Sequence, residues 1–154
     1  MREVKDKNDF LNKCQNMFDE YLNSLTDKLK RNKIVEGHMG DVDNKKEELN
    51  IKGVYIIFNE NEKPIYVGDA ITDNFTIYMR LKGHLYGNKS NGTVVNRLMD
   101  EAKQSRENKQ ARNEQKLYLK EKCIFIAIPW ESLEYNLISE FINNGHKLLN
   151  IKGK

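Results

Sequence analysis

A small set of side chains in this sequence could do more than carry surface charge. Tyr55 and Tyr66 each stand two residues from a glycine, in Gly53-Val54-Tyr55 and Tyr66-Val67-Gly68. Arg80 and His84 are four residues apart, so on a helix they share one face. Glu134 precedes apolar Ile138 and Phe141 at helical spacing, where an acid needs a reason. A guanidinium offers a permanent fork of donors to an oxyanion. An imidazole relays protons near neutrality. A tyrosine hydroxyl, with an ordinary pKa of about 10, needs neighbours before it takes part in proton chemistry. A glutamate can anchor a hard cation. Together these types suit proton handling beside an anion. Taken singly, each has a plainer reading: Tyr55 and Tyr66 as cross-strand core residues, Arg80 and His84 as ordinary surface groups. Asp41-Val42-Asp43 lacks the remaining ligands of a calcium loop and reads as loop chemistry. His38 and His146 have no partners at metal-ligand spacing.

The elements that must position these residues follow from apolar periodicity. Phe10, Leu11, Cys14, Met17, Phe18, Tyr21, Leu22, Leu25 and Leu29 predict an amphipathic helix over residues 8–32. Residues 36–49, with two glycines among Asp, Asn, Lys and Glu, read as a loop or linker with a short helical turn at Lys45–Leu49. The β-branched and aromatic run Gly53–Phe58, the polar stretch Asn59–Pro64 and then Ile65–Gly68 predict a β-hairpin. Asp73 or Asn74 would cap a helix carrying Ile77, Leu81 and Leu85. A second helix after Asn91 would bury Val94, Val95, Leu98, Met99 and Ala102. Gln104–Lys116 is charged throughout, a surface helix or a mobile loop. Cys123–Pro129 has the length and apolar continuity of a central strand, and a last helix over about 130–143 would bury Leu133, Leu137, Ile138 and Phe141. The expected fold is α+β: a small mixed or antiparallel sheet of about three strands flanked by helices, with an N-terminal helical extension. The expected division is an N-terminal helix and linker over 1–49 and a second unit over 50–154.

The paired triplets resemble the motif that names the GIY-YIG nuclease family, with Val for Ile in both. That family expects an Arg and then a His one helical turn later, which Arg80-Leu81-Lys82-Gly83-His84 supplies. Leu133-Glu134-Tyr135-Asn136-Leu137-Ile138 looks like its late glutamate helix as found in the nuclease module of bacterial excision repair, and Asn150 fits a terminal Asn. The likeness spans residues 50–152, roughly two thirds of the chain. It departs at Asn143-Asn144-Gly145-His146-Lys147, where excision-repair members carry a Pro, which puts the local path to Asn150 in doubt.

The resemblance implies phosphodiester hydrolysis with Mg²⁺ or Mn²⁺. Glu134 would be the metal ligand, with Glu131 one turn away as the substitute. Arg80 would reach a non-bridging phosphate oxygen, and Tyr55 would orient or deprotonate the attacking water, with Tyr66 and His84 as candidates for its network. Gly53, Gly68 and Asn150 would be supporting positions. The implied activity is a DNA endonuclease of restriction, mobile-element, phage or repair type. The alternative is a nucleic-acid-binding module that keeps the fold without cutting.

Charge distribution bears on the partner. The net charge is only +3, yet residues 76–122 hold eleven Lys or Arg against five Asp or Glu. That excess is what a phosphate-binding surface requires, although on charge alone a solvated helical face is the plainer reading. With the nuclease resemblance, Arg97, Lys103, Arg106, Lys109 and Arg112 are the expected nucleic-acid contacts and DNA, double-stranded or branched, the expected partner. The N-terminal helix could dimerise or dock a partner. No apolar run approaches the ~18 residues of a membrane span. Charge from Arg2 onward leaves no signal-peptide core. With Cys14 and Cys123 reading as separate buried thiols, a cytoplasmic setting is expected.

Overall fold

A computed structural model describes residues 11–12, 15–16, 34–72, 74–87 and 93–129. Most of the expected N-terminal helix lies outside these residues, although Leu11–Asn12 and Gln15–Asn16 are helical; the expected last helix lies wholly outside them. In chain order the elements are β1 (Val35–His38), β2 (Gly53–Phe58), β3 (Pro64–Ala70), α1 (Ile77–Tyr86), α2 (Thr93–Glu101), α3 (Lys109–Lys122) and β4 (Ile124–Ile128). The class is α+β, as expected. The sheet is antiparallel and has four strands, ordered β1-β4-β2-β3, rather than about three. The additional strand, β1, comes from the stretch read as linker. It pairs with β4 from Val35↔Ala127 to His38↔Ile124, and Met39 N–H donates to the Cys123 carbonyl at 3.0 Å. Two short 3₁₀ turns follow and bring Met39, Val42 and Leu49 into the core.

β2 and β4 are central, and β2 is buried along its whole length. Tyr55, Ile57, Phe125 and Ala127 share one core with Leu81, Leu85, Val94, Val95, Met99 and Leu119 from the three helices. The alternate residues Val54, Ile56, Phe58, Ile126 and Ile128 are equally shielded from water, so both central strands are apolar on both faces. Each such side chain contributes about 1.5–3 kcal/mol by leaving water.

The hairpin between β2 and β3 closes through Asn59, whose side-chain carbonyl accepts from the Asn61 and Lys63 N–H groups at 2.9 and 3.0 Å. Glu62 turns the chain at φ 61°. α1 is capped by Thr76, which accepts from Met79 N–H at 3.3 Å, and not by Asp73 or Asn74. Its next two amides donate outside the helix, Ile77 to the Ile51 carbonyl and Tyr78 to that of Leu49. Those bonds seat the helix against the chain entering β2. α1 packs on β2 and β3, α2 on α1, and α3 on α2 and β1. The charged stretch 104–116 resolves into a turn and α3, which begins at Lys109 behind the Asn108 cap. No helix among the described residues is long and apolar enough to cross a membrane.

Candidate active site

Tyr55 projects from β2 between two small residues, Gly68 on β3 and Ala127 on β4. That pairing leaves room on the sheet for a ring to lie across its neighbour. A Cβ placed on Gly68 would stand 2.5 Å from the Tyr55 hydroxyl oxygen and 2.6 Å from Cζ. The Tyr55 ring therefore rests against the bare glycine backbone, and Gly68 is required where it stands. Tyr66, two residues earlier on β3, stacks beside Tyr55 with centroids 6.2 Å apart and planes inclined by 28°.

α1 supplies the other wall. His84 points back at the sheet, with Nε2 2.7 Å from the Tyr55 hydroxyl. Its ring meets Tyr66 edge-on at 5.0 Å. Burial, and secondarily the Arg80 charge, lowers the His84 pKa to about 3, so the imidazole is neutral at ordinary pH. The Tyr55 hydroxyl and Nε2 share one hydrogen bond, whose direction follows the tautomer of the neutral ring. Nδ1 is buried and has no hydrogen-bond partner among the described residues. An unsatisfied buried polar atom costs about 1–3 kcal/mol, which is a functional signal more than a stabilising arrangement.

Arg80 lies one turn before His84, its guanidinium 4.2 Å above the Phe75 ring. Its Nε is buried without an acceptor, and no carboxylate pairs with it among the described residues. Tyr55, Tyr66, Gly68, Arg80 and His84 all line one cleft of about 490 Å³. Gly83, also in its lining, has nothing within 4 Å of where a Cβ would be, so packing does not explain a glycine inside this helix. The arrangement presents a cation without a carboxylate partner among the described residues, a hydroxyl hydrogen-bonded to a neutral imidazole, and a cleft that both line.

The structure thus brings together Tyr55, Tyr66, Arg80 and His84 from three elements, β2, β3 and α1. Gly53 begins β2, paired with Ala70, at φ 154°, a conformation that residues with a Cβ seldom adopt. Glu134, Glu131, His146 and Asn150 lie outside the described residues. Among the described residues no group of three or more His, Cys, Asp or Glu is arranged to hold a metal. Asp69 is the carboxylate that lines the cleft among the described residues, and it offers oxygen chemistry that suits a hard cation. Asp43 proves to be loop chemistry: its carboxylate accepts from Tyr78 at 2.8 Å and from Tyr86 at 3.4 Å. His38 is exposed on β1. Cys123 is a buried free thiol, its pKa pushed up to about 12 by burial.

The basic stretch is less uniform than its composition suggests. Arg106 is bound to Asp100 through Nε at 3.0 Å and Nη2 at 2.5 Å. Arg112 is only 8% exposed and donates from Nη2 to the Arg106 carbonyl at 2.9 Å, which ties the 102–108 turn to α3. Arg112 is thus mostly enclosed, and its Nη1 is buried without a hydrogen-bond partner among the described residues. Lys103 and Lys109 are exposed and Arg97 is half-buried.

Phe75, Met79, Gly83 and Thr93 also belong to the cleft, although no motif in the sequence marks them as site residues. Gly83 carries a signal, since an interior helical glycine calls for a reason. Phe75 carries a weaker one, as an aromatic residue in a polar stretch outside the helix periodicity. No family model, curated protein or solved structure matches the chain.

Proposed function

We propose that the chain is a metal-dependent DNA endonuclease of the GIY-YIG type, hydrolysing phosphodiester bonds in the cleft between β2, β3 and α1. One observation carries the reading: the 2.7 Å contact between the Tyr55 hydroxyl and His84 Nε2, in a cleft that Arg80 also lines. Arg80 binds a non-bridging phosphate oxygen with its planar fork. The Tyr55 oxygen, its own proton turned toward His84, presents lone pairs that orient the attacking water. His84 acts as the orienting acceptor and not as a proton store, because its pKa of about 3 makes an imidazolium costly in this setting. Glu134 is the residue that would hold Mg²⁺ or Mn²⁺, which when bound supplies positive charge at the scissile phosphate.

The test is nicking of supercoiled plasmid with Mg²⁺, with Mn²⁺ and with EDTA. Cleavage with either metal, lost in EDTA and in Glu134→Gln, is the expected result. DNA binding with no cleavage under any divalent metal would favour the non-cutting module instead.

A further inference from the structure

The cleft has a lip that hydrolysis alone does not need. Phe75 is 38% exposed although its ring lies in the cleft lining, and Met79, one helical turn on, is 46% exposed beside it. Two exposed apolar side chains in one cleft lining give it an apolar edge that a flat, apolar-faced ligand can cover. Phe75 is also held in place. Lys52 Nζ donates to the Phe75 carbonyl at 2.8 Å and to the Thr72 carbonyl, and Phe75 N–H donates to the Thr72 carbonyl at 3.2 Å. The backbone at Thr72 and Phe75 is thus tied to the start of β2, and the Arg80 guanidinium carbon lies over the Phe75 ring, 4.2 Å from its centroid.

We infer that Phe75, Arg80 and Met79 form a stacking platform for one unpaired nucleobase, so that the preferred substrate is single-stranded or locally unpaired nucleic acid. The inference rests on the reading of this cleft as a phosphodiester site. A ring and a guanidinium in contact present the planar, polarisable surface on which bases stack, and such stacking tolerates any base because each has a π-face. The Arg80 guanidinium in the same lining suits the phosphate that a nucleotide brings with its base. The volume, about 490 Å³, suits one nucleotide and falls within the ~300–1,000 Å³ of small-molecule sites. A paired duplex keeps its bases inside the stack and cannot offer a π-face to Phe75 without opening.

Binding in EDTA separates this inference from the cleavage reading, since no cutting is required. The probes are a single-stranded DNA oligonucleotide containing 2-aminopurine and the same sequence as a duplex. The folded Phe75→Ala protein should bind single strand about tenfold more weakly, the scale of one base stack removed. Its 2-aminopurine quenching should disappear, and its duplex affinity should change less. Phe75→Trp should keep both the affinity and the quenching. Leu117→Ala, which removes an exposed apolar residue of α3 outside the cleft lining, should alter neither. Single-strand affinity within twofold of the parent in folded Phe75→Ala would overturn the platform, as would equal losses on single strand and duplex.

Discussion

Gly68 faces Tyr55 directly across the β2–β3 ladder, and the tyrosine ring occupies the space that any side chain at position 68 would need. The second glycine of the paired triplets thereby acquires a physical reason that depends on the first tyrosine. Replacing Gly68 by Ala puts a methyl group 2.5 Å from the hydroxyl oxygen, and the ring cannot swing aside because Tyr66 stacks beside it and His84 holds its hydroxyl. Gly68→Ala should destabilise the fold by about 1–3 kcal/mol, the usual cost of overpacking, and should lose cleavage by displacing Tyr55. A thermal melt with a cleavage assay at a temperature where the variant is folded checks both. A folded Gly68→Ala protein with full activity would show that Tyr55 does not need this position.

The neutral, buried His84 predicts a particular acid sensitivity. In the unfolded chain its imidazole takes a proton below about pH 6.5, whereas in the fold it stays neutral down to about pH 3. The unfolded state therefore binds more protons in this window. Stability is fully present above pH 6.5 and falls as pH drops toward 3, by up to ~1.4 kcal/mol per unit. Denaturant unfolding from pH 7 to pH 4 should show this component in the parent and not in His84→Gln. Because Gln keeps an acceptor for the Tyr55 proton, His84→Gln should hold more cleavage rate than His84→Leu, which removes the acceptor. Equal rates in the two variants would remove His84 from its orienting role.

Salt dependence should divide the basic residues into two groups. Neutralising Arg97, Lys103 and Lys109 together should lower the slope of log affinity against log salt by up to ~3, near one unit for each phosphate the protein no longer neutralises. Arg112→Ala should leave that slope unchanged and lower the melting temperature, because it frees the Arg106 carbonyl and opens a buried site. Titration of DNA binding at several salt concentrations, beside melts of the same proteins, distinguishes the groups.

Much of the frame is legible from local pattern. The β2–β3 hairpin, the central place of β4, and the apolar faces of α1 and α2 all follow from runs and periods within ten residues or so. β1 is not legible in that way. Val35-Glu36-Gly37-His38 is a four-residue edge strand with one buried side chain, and its only identity lies in pairing with β4 some ninety positions later. The α1 cap is Thr76 because the carbonyls of Ile51 and Leu49 claim the amides of Ile77 and Tyr78, a tertiary arrangement that composition does not record. The inward role of Arg112 is hidden for a related reason: charge counts cannot tell an exposed cation from one tied to a turn. At the site, residue types and order point to Tyr55, Tyr66, Arg80 and His84, while the exposure of Phe75 and the space beside Gly83 are properties of the assembled cleft.

The central claim is that the Tyr55 hydroxyl handles the attacking water and is not merely a buried polar group. Tyr55 is 2% exposed, and Phe fills the same space in a strand that is apolar throughout. The measurement is the single-turnover cleavage rate of Tyr55→Phe with Mg²⁺, taken beside its melt. Removing the hydroxyl deprives His84 Nε2 of its partner, so a loss of about 1–3 kcal/mol in stability is expected in either case. If the hydroxyl positions the water, the folded variant cuts at least ~100-fold more slowly, the scale on which misplacing a reactant slows an enzyme. A folded Tyr55→Phe protein that cleaves at the parent rate would contradict the claim.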